Sequence, residues 1–142
     1  MTTELIASHR ENAIVVTTDA EIKQKAAELT KNFKLPIGLI PLGEVSEIGH
    51  NPTTGFFWTL RRNKLEHFNK KINKKTTFDT EVTAFLEEGR MKKVTGVKSK
   101  ELMLWVSITD IRIDDPASGK IIFTATAGIT KTFPISAFED EA

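Results

Sequence analysis

The chain has 142 residues, 39% of them hydrophobic and 27% charged, with a net charge of +1. That is the composition of a globular domain, and it gives the chain as a whole no pull toward nucleic acid or an anionic membrane. There is no cysteine, which excludes disulfides, thiolate metal sites and cysteine nucleophiles.

One domain is expected at this length, over residues 18–138, burying roughly two-thirds of its unfolded surface. Residues 1–10 read as a loose arm. Glu4 and the short run Leu5-Ile6-Ala7 are not a secretory signal. No window reaches the ~18 apolar residues of a membrane span, so a cytoplasmic location is expected. Ala13-Ile14-Val15-Val16 predicts a short strand, so that residues 1–17 are an arm and a strand. Thr18-Asp19-Ala20-Glu21 then fits a capping box. Ile22, Ala26, Leu29 and Phe33 share one helix face, and Pro36 stops the helix near Phe33–Lys34. This is the single helix that the periodicity predicts.

Beyond it the punctuation is that of β-structure. Leu35 to Gly43 is apolar, but two prolines and two glycines keep it irregular. Val45 to His50 and Gly55 to Leu60 flank the turn Asn51-Pro52-Thr53-Thr54 and predict a hairpin. Lys64 to Ile72 reads as a polar edge strand. Phe78, Thr80, Val82, Ala84 and Leu86 alternate with Asp79, Glu81, Thr83 and Glu87 up to Gly89, a half-buried strand whose outer pattern Phe85 breaks. After Met91 to Val97, Leu102, Leu104, Val106 and Ile108 share one face of a long strand. Ile111 and Ile113 have the opposite parity, and a bulge near Thr109–Asp110 would restore them. Asp114-Asp115-Pro116-Ala117-Ser118-Gly119 is a turn, followed by strands over Ile121–Ala125 and Ile129–Phe133. Residues 139–142 are an acidic tail. The expected fold is mainly β with one N-terminal α-helix: an antiparallel β-barrel or sandwich-like domain whose helix covers one face or plugs one end.

Six segments, in order, carry a family resemblance. They are Leu35-Pro36-x-Gly38-Leu39-x-Pro41-Leu42, Thr54-Gly55-Phe56-Phe57-Trp58, Gly96-Val97-Lys98-x-Lys100-Glu101-Leu102, Trp105-Val106, Ser118-Gly119-Lys120-Ile121 and Thr132 to Phe138. Together they resemble the plant family catalogued as domain of unknown function 538, over about residues 18–138. The resemblance implies a small, mostly β, barrel-like fold with an N-terminal helix. It also implies a link to stress responses and growth, a likeness to lipid-binding bactericidal/permeability-increasing proteins, and a proposed chlorophyll- or ester-hydrolysing activity. It brings no catalytic residues.

The residues themselves carry little chemistry. No serine sits in a Gly-x-Ser-x-Gly elbow. With only His9, His50 and His67, an esterase-like hydrolase would need a serine beside His50 or His67, and no catalytic residue is assigned. No metal-ligand spacing or phosphate loop occurs, and no cofactor is expected. Arg61, Arg62, Lys64, Lys70, Lys71, Lys74 and Lys75 put seven cations into fifteen residues. They are candidates for contact with an anionic membrane, against the alternative of a lysine-rich edge that blocks aggregation. Phe68 alone among them could stack a base, which argues against nucleic acid. Both faces of Phe56-Phe57-Trp58 and of Met103-Leu104-Trp105-Val106 are apolar. Phe57, Trp58, Met103 and Trp105 are therefore candidates for a lipid or other apolar ligand, and coverage of Met103 and Trp105 by the helix is the competing expectation. The function that follows is a non-enzymatic barrel binding an apolar or amphipathic small molecule, with a hydrolase and a protein-interaction module as alternatives.

Overall fold

Alternating strands and one helical stripe resolve, in a computed structural model describing residues 2–140, into two helices and nine strands. In chain order these are α1 (Thr2–His9), β1 (Ile14–Val16), α2 (Asp19–Asn32), β2 (Val45–His50), β3 (Phe56–Arg61), β4 (Leu65–Asn69), β5 (Lys74–Glu87), β6 (Arg90–Glu101), β7 (Leu104–Ile113), β8 (Lys120–Ala125) and β9 (Thr130–Pro134). The strands form one antiparallel sheet in the order β1-β2-β3-β5-β6-β7-β8-β9. β4 pairs β5 beyond the end of β3, so that residues 56–60 and 65–69 lie end to end along β5.

The fold is mainly β, as expected, but the sheet is not closed into a barrel. Its outer strands β1 and β9 do not pair with each other. Non-strand structure fills the opening: α2, the 3-10 turn Ile37–Leu39 and the 3-10 turn Ile135–Phe138 after β9. The two turns meet so closely that a Cβ on Gly38 would lie 2.6 Å from the Phe138 carbonyl oxygen. β1, with three residues, is too short to complete a ring.

β6 bends the sheet. Its register shifts against both β5 and β7, and each extra residue increases local twist. Gly96 sits at φ +83°, where an added Cβ would stand 2.3 Å from the Glu81 carbonyl oxygen. The resulting curve encloses one core. Ile22, Ala26 and Leu29 of α2 pack with Ile48, Phe57, Val82, Val94, Ile108 and Ile121 from six strands. The bulge expected near Thr109–Asp110 is present as a register shift between Ile108 and Asp110, and Ile108 and Ile111 are both buried.

α2 begins as the capping box predicts. Thr18 Oγ1 accepts from the Glu21 amide at 3.3 Å, although the Glu21 carboxylate accepts back from the Thr18 hydroxyl at 2.7 Å rather than from a backbone amide. The helix ends at Asn32, and its Phe33 cap carbonyl accepts from the Gly89 amide in the β5–β6 turn. α2 thus plugs the end of the sheet where that turn lies.

Two expectations are corrected. Thr2–His9 are a helix rather than a loose arm: α1 lies on the outer sheet face, where Ile6 packs with Phe56 and Trp58. Its end is tied by bonds from Asn51 Nδ2 to the His9 and Glu11 carbonyls and by the Arg10–Glu47 ion pair at 2.8 Å. The helix count is accordingly two. Of the acidic tail, residues 141 and 142 lie outside the described residues, and Asp140 pairs with Lys71 at 2.9 Å.

Candidate functional site

The curved sheet leaves a cavity of about 360 Å³ inside it, lined chiefly by β3 to β9 and the two 3-10 turns. Alternation decides which side chains face it. Phe57, Thr59 and Arg61 share one parity on β3 and all three line the cavity, whereas Trp58 and Leu60 pack on the opposite face with Phe56. The walls are apolar: Val82, Val94, Val97, Ile108, Ile111 and Phe123 contribute. A volume above about 300 Å³ falls in the range of small-molecule sites.

Among the described lining residues Arg61 is the buried charged one. It is 4% exposed. Nε donates to the Gly43 carbonyl at 3.2 Å, Nη2 donates to the Pro41 carbonyl, and the guanidinium lies 5.6 Å over the Phe78 ring. Among the described residues no carboxylate pairs with it, and Nη1 has no hydrogen-bond partner. Burial lowers its pKa from the ordinary value. A buried charged group with an unmade bond costs about 1–3 kcal/mol or more. The arrangement leaves a buried guanidinium N–H with its hydrogen bond unmade.

The mouth lies between the β4–β5 turn, the end of β6 and β9. Glu101 accepts from Lys74 at 2.9 Å and approaches Lys131 of β9 at 3.7 Å. Asn69 Nδ2 and Lys71 Nζ donate to the Ala137 and Ser136 carbonyls at 2.9 and 3.2 Å. Polar bonds thus span the rim where backbone pairing does not close the ring.

The structure scatters the candidate residues. Phe57 lines the cavity. Trp58 is buried beneath α1, donating from Nε1 to Glu47 at 2.8 Å, and its indole lies across Gly49, where a Cβ would stand 2.1 Å from the ring. Met103 and Trp105 are not covered by α2, which sits at the other end of the sheet. They stand exposed at the β6–β7 tip. Leu102 and Leu104, expected in the core, are exposed there as well.

The basic run also divides. Arg61 is buried and cannot meet a surface. Lys71, Lys74 and Lys75 pair with Asp140, Glu101 and Glu66, and Arg62, Lys64 and Lys70 are exposed. β4 is an edge strand, paired to β5 alone. Period-two counting from Phe57 would have placed Arg61 indoors. The density of neighbouring cations hid that signal.

No serine hydroxyl bonds to a histidine ring among the described residues. His50 is buried edge-on to Phe33 at 5.5 Å, with Nε2 unpartnered. Ser46 and Ser118 donate to the backbone carbonyls of Leu60 and Asp115. Asp115 Oδ1 accepts from the Ala117 amide at 3.0 Å, and Gly119 has φ +68°, so the Asp114–Gly119 segment is the turn its residues predict. Among the described residues no helix is long and apolar enough to cross a membrane.

The molecule is therefore a curved antiparallel sheet enclosing an apolar cavity with a buried cation. Residues 26–139 match the family described as "Protein of unknown function, DUF538", and the chain belongs to that family. An uncharacterised protein of Arabidopsis thaliana is 32% identical over 119 residues, 84% of this chain. The chain spans about 65% of that relative's length. No solved structure gives a significant match.

Proposed function

We propose that this chain binds a small amphipathic molecule with an anionic or strongly accepting head group. The observation that carries the reading is Arg61: a buried guanidinium without a carboxylate partner among the described residues, on the wall of an apolar cavity. The head group lies toward the Arg61 guanidinium, and the apolar remainder lies along Val82, Val94, Val97 and Ile108. A charge-assisted bond in a dry site is about twice as strong as a neutral one, so the arginine selects the head group while the walls supply most of the affinity.

A fluorescent fatty acid and its methyl ester test this. The acid is expected to bind the wild-type protein and to be displaced by unlabelled acid. Arg61→Met is expected to weaken the acid roughly tenfold and the ester much less. Val94→Trp, which fills the cavity, is expected to weaken both. Equal loss of acid and ester on Arg61→Met would remove the head-group role. Undiminished binding by folded Val94→Trp would place the ligand elsewhere.

A further inference from the structure

Three hairpin turns share one end of the sheet: β4–β5, β6–β7 and β8–β9. The antiparallel pairings require it, since β5 begins, β6 ends, β7 begins and β8 ends there. This is the end opposite α2. The β6–β7 hairpin extends past both of its neighbouring ladders: that to β5 stops at Ser99 and that to β8 at Ile108, while Lys100↔Trp105 and Glu101↔Leu104 continue across the hairpin itself.

The protruding tip is apolar. Leu102, Met103 and Leu104 are 94%, 89% and 69% exposed, and Trp105 is 42% exposed. Phe68 of β4 and Ile129 before β9 add two more exposed apolar side chains at the same end. Turn chemistry does not account for these residues. Leu102 has φ +54°, a position where Asn or Gly sits easily and leucine is strained. A tip that accepts both strain and apolar exposure is shaped by what it contacts.

The side chains are layered by depth. Leu102, Met103 and Leu104 stand outermost, and Trp105 is one residue behind. Lys100 lies opposite Trp105, its Nζ 5.9 Å from the ring, and Lys98 is two residues deeper. Lys70, Lys71, Lys74 and Lys131 stand around the mouth with Glu101 and Asp140. Apolar, then aromatic, then cationic is the order of chemistry met on leaving the acyl region of an anionic leaflet: hydrocarbon, interface, phosphate.

We infer that this end docks on an anionic phospholipid bilayer, with the β6–β7 tip inserted and the cavity mouth facing the head groups. Ser99, Glu101 and Val106 of the same hairpin line the cavity, so docking sets the mouth against the lipid. The inference stands on the side chains at this end of the sheet and is independent of what the cavity holds.

The experiment is flotation with vesicles of phosphatidylcholine, with and without phosphatidylserine, together with tryptophan emission. Trp58 is buried, so a change in emission on binding reports Trp105. The wild-type protein is expected to float with phosphatidylserine vesicles, to shift its emission to the blue, and to bind less as salt is raised. The triple variant Leu102→Ser, Met103→Ser, Leu104→Ser is expected to fold, because its altered side chains face solvent, and to lose at least roughly tenfold in partitioning. Arg61→Met is expected to float like the wild type, which separates this inference from the cavity reading. No flotation of the wild type at low salt overturns the inference, as does equal flotation of the triple variant. A wild-type dimer in analytical ultracentrifugation that the triple variant dissolves, without vesicle binding by either, overturns it in favour of a self-contact.

Discussion

His50 closes β2 against α2, with its ring buried edge-on to Phe33. Burial lowers its pKa from the ordinary 6.5, the charge of Lys25 adds to that, and Glu28 opposes it. The native state therefore keeps the ring neutral while the unfolded chain takes up the proton first. The stability this represents is complete above about pH 6.5 and is lost as pH falls below it. Thermal melts between about pH 7 and pH 5 are expected to show a shallower decline for His50→Leu than for the wild type. Parallel declines would show that other groups carry the acid sensitivity. Arg61 shows the same physics in a group that does not discharge: its guanidinium stays protonated, so burial leaves it short of acceptors.

At the scale of elements, α1 was the feature least visible in the residues. It has eight residues, and helices shorter than about 12 residues are marginal on their own. Among its described side chains Ile6 alone buries deeply, while Leu5 remains exposed. What holds α1 is the outer sheet face: Phe56, Trp58 and Phe85, with the His9 ring stacked on Phe56 at 4.3 Å. The two-sided apolarity of β3 was legible and needed a second covering layer, but nothing local named that layer. Ile6→Asp is expected to undock the helix at a cost of about 1.5–3 kcal/mol and to expose Trp58. In a Trp105→Phe background, Trp58 emission should move to the red while the far-ultraviolet sheet signal persists. Unchanged emission would mean that α1 does not shield the indole.

For the whole molecule, the decisive fact is that the sheet curls without closing. α2 blocks one end, and side-chain bonds bridge the rim at the other. Glu101 is the centre of that rim, joining β6 to Lys74 of β5 and to Lys131 of β9. Partly exposed pairs of this kind contribute no more than about 1 kcal/mol. Glu101→Gln is accordingly expected to speed both entry and release of an anionic probe by up to about fivefold, with the dissociation constant nearly unchanged. Stopped-flow fluorescence measures this, and unaltered rates would show that the probe enters elsewhere.

The residues by themselves determined most of the strands, the turns at Asn51–Thr54 and Asp114–Gly119, the α2 capping box, the bulge in β7 and the family, but not the turn at Leu102–Met103. Each depends on interactions within a few residues or on a period of two, and such signals survive without knowledge of the fold. Only the tertiary structure decided that the sheet stays open, that α1 covers Trp58, that Arg61 turns inward and that Met103 and Trp105 remain in solvent. Those outcomes depend on which distant strands meet. The curvature at Gly96 brings β9 and its 3-10 turn toward β4, and that approach creates the cavity from residues that locally read as ordinary core.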